Sequence, residues 1–281
     1  MHNLFIFNSD LRLRDNLALF NAAKNAESLT ALYIFNQKKW VDHNESDLKI
    51  AFQLKHLKEL SKGLNALNIS LKVIEAEGIE DESKRIIEFV EAHKIGEVYI
   101  NKDYGFNETQ RDLDLDLELT KLNKRLNIYD SSIFDPNSIK TQSNTFFKVF
   151  TPYSRAFRSK LITNKLQSVG LPKKQKIKIL ESDEIQNIEL DETRLNILEA
   201  YIAGEENALT KLEEFIDYKI LNYKENRDFP AIEGTSSLSP YLSSGILSSR
   251  QCLFKVFEKF SENEIGVKTW VTEIIWREFY K

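Results

Sequence analysis

The first half of this sequence alternates between short apolar runs and segments with helical periodicity. The apolar runs have the length of β-strands and cover residues 4–8, 29–35, 71–76, 97–101 and 126–130. The segments between them space apolar residues three and four apart, as one face of a helix requires, over residues 15–26, 47–66, 80–94 and 107–125. Gly96 is expected to end the third of these helices. Strands and helices in strict turn predict an α/β fold with a doubly wound, Rossmann-like parallel sheet.

The composition changes after residue 130. Residues 136–180 contain ten Lys or Arg and neither Asp nor Glu, whereas residues 181–217 are rich in acids. Residues 172–195 have no strong periodicity, which indicates a linker over the surface, and from about residue 196 the patterns are helical only. We therefore predict an α/β domain over residues 1–130, an interdomain connector over 131–195 and a helical domain over 196–281.

The last 18 residues, 264–281, form a strongly apolar helical pattern that contains Trp270 and Trp276. A helix with such broad apolar surface is buried on most sides. We expect this chain to be part of a longer protein that covers the helix. Docking onto the preceding helices is the alternative.

Several classes of site and location are disfavoured by the sequence. The net charge is −4, so contact with a nucleic acid has to come from a local basic patch. Cys252 is the only cysteine, which favours a reducing, cytoplasmic setting. A signal peptide, a membrane-spanning stretch, a GxG dinucleotide fingerprint, a P-loop, a nucleophile elbow and a metal-ligand spacing of histidines are not recognisable.

A hydroxyl-rich segment, residues 235–250, is interleaved with large apolar residues. Ser239 followed by Pro240 predicts a helix start with Ser239 as the N-cap, and Gly245 is placed to end that helix. Ser248 and Gln251 fit a capping box at the start of a second helix. The hydroxyls and N–H groups just before the first start suit a phosphate group. The alternative is that the serines only cap helices.

Four segments, in this order, resemble signatures of the DNA photolyase and cryptochrome family, and most closely its microbial class I cyclobutane pyrimidine dimer photolyases. They are LFIFNSDLRLRDNLAL (4–19), KVFTPYSRAF (148–157), RDFPAIEGTSSLSPYLSSGILSSRQ (227–251) and WVTEIIWREFY (270–280). The resemblance implies an α/β domain, a connector and a helical flavin domain, of which this chain would carry the N-terminal part. It implies light-driven, flavin-dependent repair of pyrimidine dimers in UV-damaged DNA, with no membrane and no obligate protein partner.

The same resemblance assigns roles to individual residues. Those implied to bind FAD are Tyr223, Thr235, Ser236, Ser237, Leu238, Ser239 and Trp270. A second chromophore, an antenna of the 5,10-methenyltetrahydrofolate type, is implied at His43, Asn107 and Glu108. Glu273 and Trp276 are implied to be catalytic, with Trp276 stacking on the extruded pyrimidines and Glu273, as a buried carboxyl, bonding a base edge. The implied DNA contacts are Arg227, Glu273, Trp276, Arg277 and Tyr280.

Other interpretations of these residues stay open. Both tryptophans also suit ordinary core packing, and Asn107 with Glu108 suits a helix N-cap followed by a first-turn acid. The sequence departs from the family pattern at Ser237, where Arg is usual, and at Asn8-Ser9, where an Arg precedes the following signature. Because family members continue past the last segment, the flavin site is expected to be incomplete and the chain alone inactive. The alternatives are a signalling flavoprotein of the cryptochrome kind, a non-catalytic remnant, or half of a split gene whose partner is the C-terminal part.

Overall fold

The computed structural model describes residues 1–164 and 166–281, which divide into two compact units. Unit 1 comprises Met1–Ser131, Val169–Glu205 and Ser244–Ile246, and unit 2 comprises Ser132–Ser168, Glu206–Ser243 and Leu247–Lys281. Each unit is therefore assembled from separate stretches of the chain. The domain boundaries at residues 130 and 195 stay a prediction.

Unit 1 contains a parallel sheet whose five described strands run in the order β3-β2-β1-β4-β5. The strands are β1 (His2–Ile6), β2 (Ser28–Phe35), β3 (Ser70–Glu75), β4 (Glu97–Asn101) and β5 (Arg125–Tyr129). The order reverses direction between β1 and β4, as in a doubly wound fold. The predicted α/β class is confirmed.

Four of the described helices of unit 1 occupy the predicted segments, and two others, over residues 37–42 and 192–199, do not. They are α1 (Leu17–Lys24), α2 (Gln37–Asp42), α3 (Asp47–Ala66), α4 (Ile79–Ala92), α5 (Phe106–Lys121) and α7 (Glu192–Glu199), the element that follows α6 (Phe150–Thr163) of unit 2. Helix α2 is absent from the sequence-based prediction. The side-chain oxygen of Asn36 caps its first turn by accepting a hydrogen bond from the N–H of Lys39. A helix of six residues is too short to leave a visible hydrophobic periodicity in the sequence.

Apolar layers cover both faces of the sheet because successive strand residues point to opposite sides. On β1, Phe5 belongs to a cluster shared with Leu19 and Leu57, from α1 and α3. Leu4 and Ile6 belong to a second cluster with residues of α4 and α5. The sheet is thus buried on both faces, which explains its near-continuous apolar strands.

Gly96 does not end α4 as predicted. The helix stops at Ala92, and Lys94 takes the left-handed conformation, with φ 50°. A Cβ at Gly96 would lie 2.4 Å from Cγ of Met1, a half-exposed side chain at the N-terminus.

The segment predicted to be a linker, residues 172–195, lies within unit 1 and is hydrogen-bonded there. The N–H of Gln175 donates to the carbonyl of Leu67 over 2.8 Å, and the N–H of Asp183 donates to the carbonyl of Leu71 over 2.9 Å. Asp183 also forms an ion pair with Lys72. The segment thereby covers part of β3, an edge strand whose unpaired backbone groups would otherwise face solvent.

Unit 2 contains helices and irregular segments but no strand among its described residues, as predicted for the later part of the chain. Its helices are α6 (Phe150–Thr163), most of α8 (Glu205–Tyr218), α9 (Tyr223–Asn226), α10 (Ser239–Ser243), α11 (Ser249–Lys259) and α12 (Ile265–Phe279). The capping box of Ser248 and Gln251 is present at the start of α11. Within the described residues, no helix has the length and apolar composition needed to cross a membrane.

Candidate functional site

Glu273 and Trp276 lie one turn apart on α12, so their side chains emerge from the same side of the helix. Oε1 of Glu273 accepts a hydrogen bond of 2.6 Å from Nη1 of Arg227. The side chains of Arg227 and Glu273 remain 30% and 39% exposed. The interpretation of Glu273 as a buried carboxyl is therefore wrong, because the group is partly open to solvent and paired with a cation.

Aromatic rings continue inward from this ion pair. The guanidinium of Arg227 lies 5.3 Å from the ring centroid of Tyr223, a cation–π distance. Tyr223 packs edge-on against Phe215, whose ring centroid lies 5.4 Å from that of Trp270. The hydrogen bond that Arg227 donates to Glu273 is the main cause that raises the pKa of Arg227.

Trp270 is only 3% exposed. Helix α12 thus packs its Trp270 against the preceding helices of unit 2, where Phe215 lies beside the indole. Its burial agrees with the packing interpretation, while its role in flavin binding stays a prediction.

Trp276 is half-buried, and aromatic rings lie over its indole. The ring of Phe150 stacks on it with a centroid separation of 3.5 Å and an interplanar angle of 7°. The ring of Tyr280 lies 5.5 Å away at 18° and is 76% exposed. Phe279 meets the indole edge-on at 5.8 Å. Phe150 comes from the first turn of α6, so the signature around residue 150 and the signature on α12 meet here.

The hydroxyl-rich loop before α10 presents unpaired polar groups. Thr235, Ser237 and Ser239 are exposed and Ser236 is half-buried. Among the described residues, their hydroxyls and the backbone N–H groups of residues 235–239 make no hydrogen bond. Ser237 takes a left-handed conformation with φ 50°, which is uncommon for a residue with a side chain. A loop with free donors and a constrained backbone suits an anion such as a diphosphate.

The start of α10 differs by one residue from the prediction. The carbonyl of Leu238 accepts the N–H of Leu242, so Ser239 is the first helical residue and not the N-cap. Leu238 is 1% exposed and anchors the loop in unit 2. Gly245, with φ 67°, follows the helix as expected.

The other predicted DNA contact on α12 is accessible. Arg277 is exposed, and its Nη2 donates to the carbonyl of Leu242 over 2.7 Å. Lys148 and Arg155, at the start of α6, are exposed as well. The local basic patch expected of a DNA-binding chain with negative net charge stays a prediction.

The residues predicted for the antenna lie in unit 1 on α2 and α5. His43 caps the C-terminus of α2 and is exposed. Oε1 of Glu108 accepts a hydrogen bond of 2.6 Å from Nζ of Lys39. Burial acts to raise the pKa of Glu108, but the bond and charge of Lys39 outweigh it and hold that pKa below its usual range.

Asn107 is not the N-cap of α5. Gly105 takes that position, and Asn107 lies in the first turn of the helix. The capping interpretation is therefore wrong for Asn107, while Glu108 is the expected first-turn acid. The antenna role of both residues stays a prediction.

The opening signature builds a buried polar network that the sequence did not reveal. Oδ2 of Asp10 accepts hydrogen bonds from Nδ2 of Asn101 over 2.5 Å and from Nδ2 of Asn16 over 3.2 Å. Oδ1 of Asn101 in turn accepts the N–H of Ala18 over 3.1 Å. Burial raises the pKa of Asp10 despite the nearby charge of Arg12. Asn101 at the carboxyl end of β4, the usual place for functional polar residues, was the available signal.

Comparison with known proteins agrees with these features. A family model described as DNA photolyase matches residues 3–173. The deoxyribodipyrimidine photo-lyase of Buchnera aphidicola subsp. Acyrthosiphon pisum is 34% identical over 287 aligned residues, covering 99% of this chain and 58% of that protein.

Solved structures share the fold. The crystal structure of a bacterial class III photolyase from Agrobacterium tumefaciens matches with a TM-score of 0.84 at 22% identity, covering 99% of this chain and 58% of that one. An archaeal photolyase from Sulfolobus tokodaii, solved with two FAD molecules, matches with a TM-score of 0.70 at 20% identity, covering 100% of this chain and 58% of that one.

A doubly wound parallel sheet and a helical unit carrying an aromatic and carboxylate pair are thus combined in one chain. The chain belongs to the DNA photolyase family. It spans about 58% of the length of the relatives named above.

Proposed function

We propose that the protein represented by this chain is a deoxyribodipyrimidine photo-lyase, which uses light and FAD to split cyclobutane pyrimidine dimers in DNA. The observation that carries the proposal is the pair of Glu273 and Trp276, a carboxylate and a large aromatic face one turn apart on α12. The assignment to class I rests on the motifs alone. Because the chain spans only part of its relatives, repair is proposed for the protein as a whole.

FAD is the cofactor we propose, and the residues of unit 2 fit its diphosphate. The free N–H groups and hydroxyls of residues 235–239 would hydrogen-bond phosphate oxygens, and Leu238 would fix the loop in place. Tyr223 would contribute from α9, and the buried Trp270 would form the wall behind them. When bound, FAD would supply the light-driven electron transfer that splits the dimer. A relative of the same fold was solved with FAD.

The DNA side of the proposal uses the exposed part of α12. A pyrimidine dimer has to leave the duplex before chemistry, and its damaged stacking lowers the cost of extrusion. Trp276 would stack on the extruded pyrimidines, which is worth roughly 1–3 kcal/mol per base. Glu273 would accept or donate a hydrogen bond at the base edge, while Arg227, Arg277 and Tyr280 would hold the flanking strand.

A folate antenna at His43, Asn107 and Glu108 is proposed as an accessory. The three residues all belong to unit 1, and Glu108 already holds a cation, Lys39, at 2.6 Å. That pair offers both an acceptor and a donor to a pterin-like ring. We expect Glu108→Gln to lose an added folate chromophore. Glu118→Gln, which alters the exposed ion pair with Lys121, should retain it.

The flavin site is tested by the visible absorption spectrum of the purified full chain supplied with FAD. A flavin band that co-purifies and weakens in the double variant Ser236→Ala, Ser237→Ala supports the site. The control is Ser143→Ala with Thr145→Val, which removes two hydroxyls from the exposed cluster around Thr141. A colourless wild-type chain, or equal flavin content in all variants, contradicts the proposed site.

The DNA site is tested by the affinity for an oligonucleotide with one thymine dimer against its undamaged copy. Trp276→Ala is expected to weaken binding of the damaged strand and to leave the undamaged strand unaffected. Equal affinity of the wild-type chain for both strands contradicts dimer recognition, whatever the flavin content.

A further inference from the structure

We infer that Phe150 is a positioning residue for Trp276, which it backs on one face so that a base can stack only on the other, where Tyr280 lies as a displaceable cover. The substrate named in this inference, a pyrimidine dimer, rests on the proposed function, whereas the geometry of the three rings does not. No part of it depends on how the two units are arranged, because all three residues belong to unit 2.

The indole of Trp276 makes two different stacking contacts. The separation of 3.5 Å and angle of 7° between Phe150 and Trp276 bring the rings into direct face-to-face contact, with no space for a third ring. Tyr280 lies 5.5 Å away at 18°, an offset and looser arrangement. Both rings are nearly parallel to the indole, and among the described residues they make no ring contact with each other, as two rings stacked on the same face would. They therefore lie on opposite faces, of which one is closed and the other only partly covered.

The rings of Phe150 and Tyr280 also differ in how firmly they are held. Phe150 is half-buried in the first turn of α6 and also meets Phe279 edge-on at 5.8 Å, so its ring is fixed by two neighbours. Tyr280 is the C-cap residue of α12 and is 76% exposed. The ring of Tyr280 also has two ring neighbours, Trp276 and Phe279, at 5.5 Å each, but its exposure lets it move at a lower cost than the half-buried ring of Phe150.

This arrangement of rings affects how tightly a base binds to Trp276. A single Trp side chain in water samples several rotamers, and ordering it on binding reduces affinity. With Phe150 stacked behind it, the indole is ordered before the base arrives. A base that replaces the ring of Tyr280 then gains the stacking contact without that cost.

The test compares Phe150→Leu with Phe150→Tyr, and with Phe147→Leu as the matched control. Phe147 is also half-buried and touches Tyr153, but it has no ring contact with Trp276 among the described residues. Two quantities are measured on the full chain with FAD added: acrylamide quenching of the Trp276 emission, obtained by subtracting a Trp276→Phe sample, and affinity for the thymine-dimer oligonucleotide.

We expect Phe150→Leu to increase quenching of Trp276 and to weaken dimer binding by about two- to tenfold, the equivalent of one aromatic pair. Phe150→Tyr and Phe147→Leu should match the wild type in both measurements. We expect Tyr280→Ala to increase quenching from the open face while Phe150→Leu adds to it.

Two results overturn the inference. One is unchanged quenching of Trp276 in Phe150→Leu, and the other is increased quenching with unchanged dimer affinity. If the wild-type chain does not distinguish damaged from undamaged DNA, the proposed function fails, and the quenching series alone then decides whether Phe150 positions Trp276. A general loss of folding is recognised because Phe147→Leu would share it.

Discussion

Nη1 of Arg227 lies 2.6 Å from Oε1 of Glu273, so the carboxylate proposed to contact a base is already engaged by a cation. Any hydrogen bond that Glu273 accepts from a pyrimidine is formed beside this ion pair or in exchange for it. The same guanidinium lies against the ring of Tyr223. Arg227 therefore connects a proposed flavin residue with a proposed dimer residue inside unit 2.

Arg227→Gln should separate recognition from stability. Because both partners are about a third exposed, the ion pair contributes less than about 1 kcal/mol to the free energy of unfolding. Affinity for the thymine-dimer oligonucleotide should nevertheless fall, since Glu273 loses its orientation and the strand loses a cation. Urea denaturation and fluorescence anisotropy on the same samples check the two quantities.

The matched control is Lys255→Gln. Lys255 pairs with Glu213 at 2.8 Å with similar exposure, 37% and 49%, on other helices of unit 2. It should lose as little stability and no affinity. Equal affinity of Arg227→Gln and the wild type would exclude Arg227 from the DNA site.

Arg158 should be a major source of stability in unit 2. Its Nε donates to both oxygens of Glu262, over 3.1 and 2.8 Å, and its Nη2 donates to Oγ1 of Thr272 over 2.8 Å. Its Nη1 donates to Ser154. Arg158→Leu leaves these acceptors unpaired in a side-chain environment only about a fifth exposed, so a loss of about 2–4 kcal/mol in the free energy of unfolding is expected.

Arg155→Leu is the control for that loss. Arg155 is exposed one turn earlier on α6, and no ion pair or side-chain hydrogen bond of its guanidinium occurs within the described part of the chain. Its substitution should change the free energy of unfolding by about 0.5 kcal/mol or less. Similar urea midpoints for the two variants would contradict the role of Arg158.

The elements that periodicity governs were predictable, and the contacts of single side chains were not. The strands of unit 1 and the long helices α3 and α12 follow from spacing alone, because burial on one or two faces leaves a repeated pattern. Helix α2 depends on one cap, by Asn36, and the end of α4 depends on a left-handed lysine, Lys94. Such local contacts leave no repeat in the sequence.

The candidate site was likewise predictable only in part. Family motifs identified Glu273 and Trp276, but their environment depends on partners distant in sequence. Phe150 covers Trp276 from a helix that lies more than a hundred positions earlier in the chain. Asn101 reaches Asp10 from 91 positions away. Neither pairing has a signature in a single sequence, because nothing in the spacing of these residues specifies which helix or strand lies beside which.

His56 should make unit 1 sensitive to acid. Nε2 lies 2.6 Å from the carbonyl of Leu11, and Nδ1 is buried without a partner in the described residues, so the ring is neutral and donates through Nε2. Burial lowers the pKa of His56 to about 4, against 6.5 for the free side chain. Between these values the unfolded chain binds a proton that the folded chain does not, so stability falls as the pH falls.

The loss should reach about 3 kcal/mol between pH 6.5 and 4, from the size of the pKa difference. His56→Gln, whose amide can still donate to Leu11, should flatten this part of the curve. His43→Gln, at an exposed position, should leave it unchanged. The free energy of unfolding is measured at four pH values. If it falls in parallel with pH in His56→Gln and in the wild type, the ring of His56 is not responsible.

Asn101→Leu should damage the polar network at the carboxyl end of β4. The substitution leaves Oδ2 of Asp10 without its 2.5 Å hydrogen bond and the N–H of Ala18 without its acceptor, in surroundings where both are buried. The loss of one hydrogen bond to a buried carboxylate, together with one unsatisfied N–H, costs about 2–5 kcal/mol. Asn127→Leu on β5, whose amide makes only two bonds of 3.3 Å and is half-buried, should cost less than about 1.5 kcal/mol.

The pH dependence of this deficit identifies its source. Burial raises the pKa of Asp10, and the hydrogen bond from Asn101 opposes that rise by favouring the charged form. The deficit of Asn101→Leu should therefore be larger at high pH, where the charged form of Asp10 is favoured, and should shrink as the pH falls and the carboxyl takes up a proton. A remainder should persist at low pH, because the N–H of Ala18 has no acceptor at any pH. A deficit independent of pH would assign the whole effect to packing and contradict the link between Asn101 and the charge of Asp10.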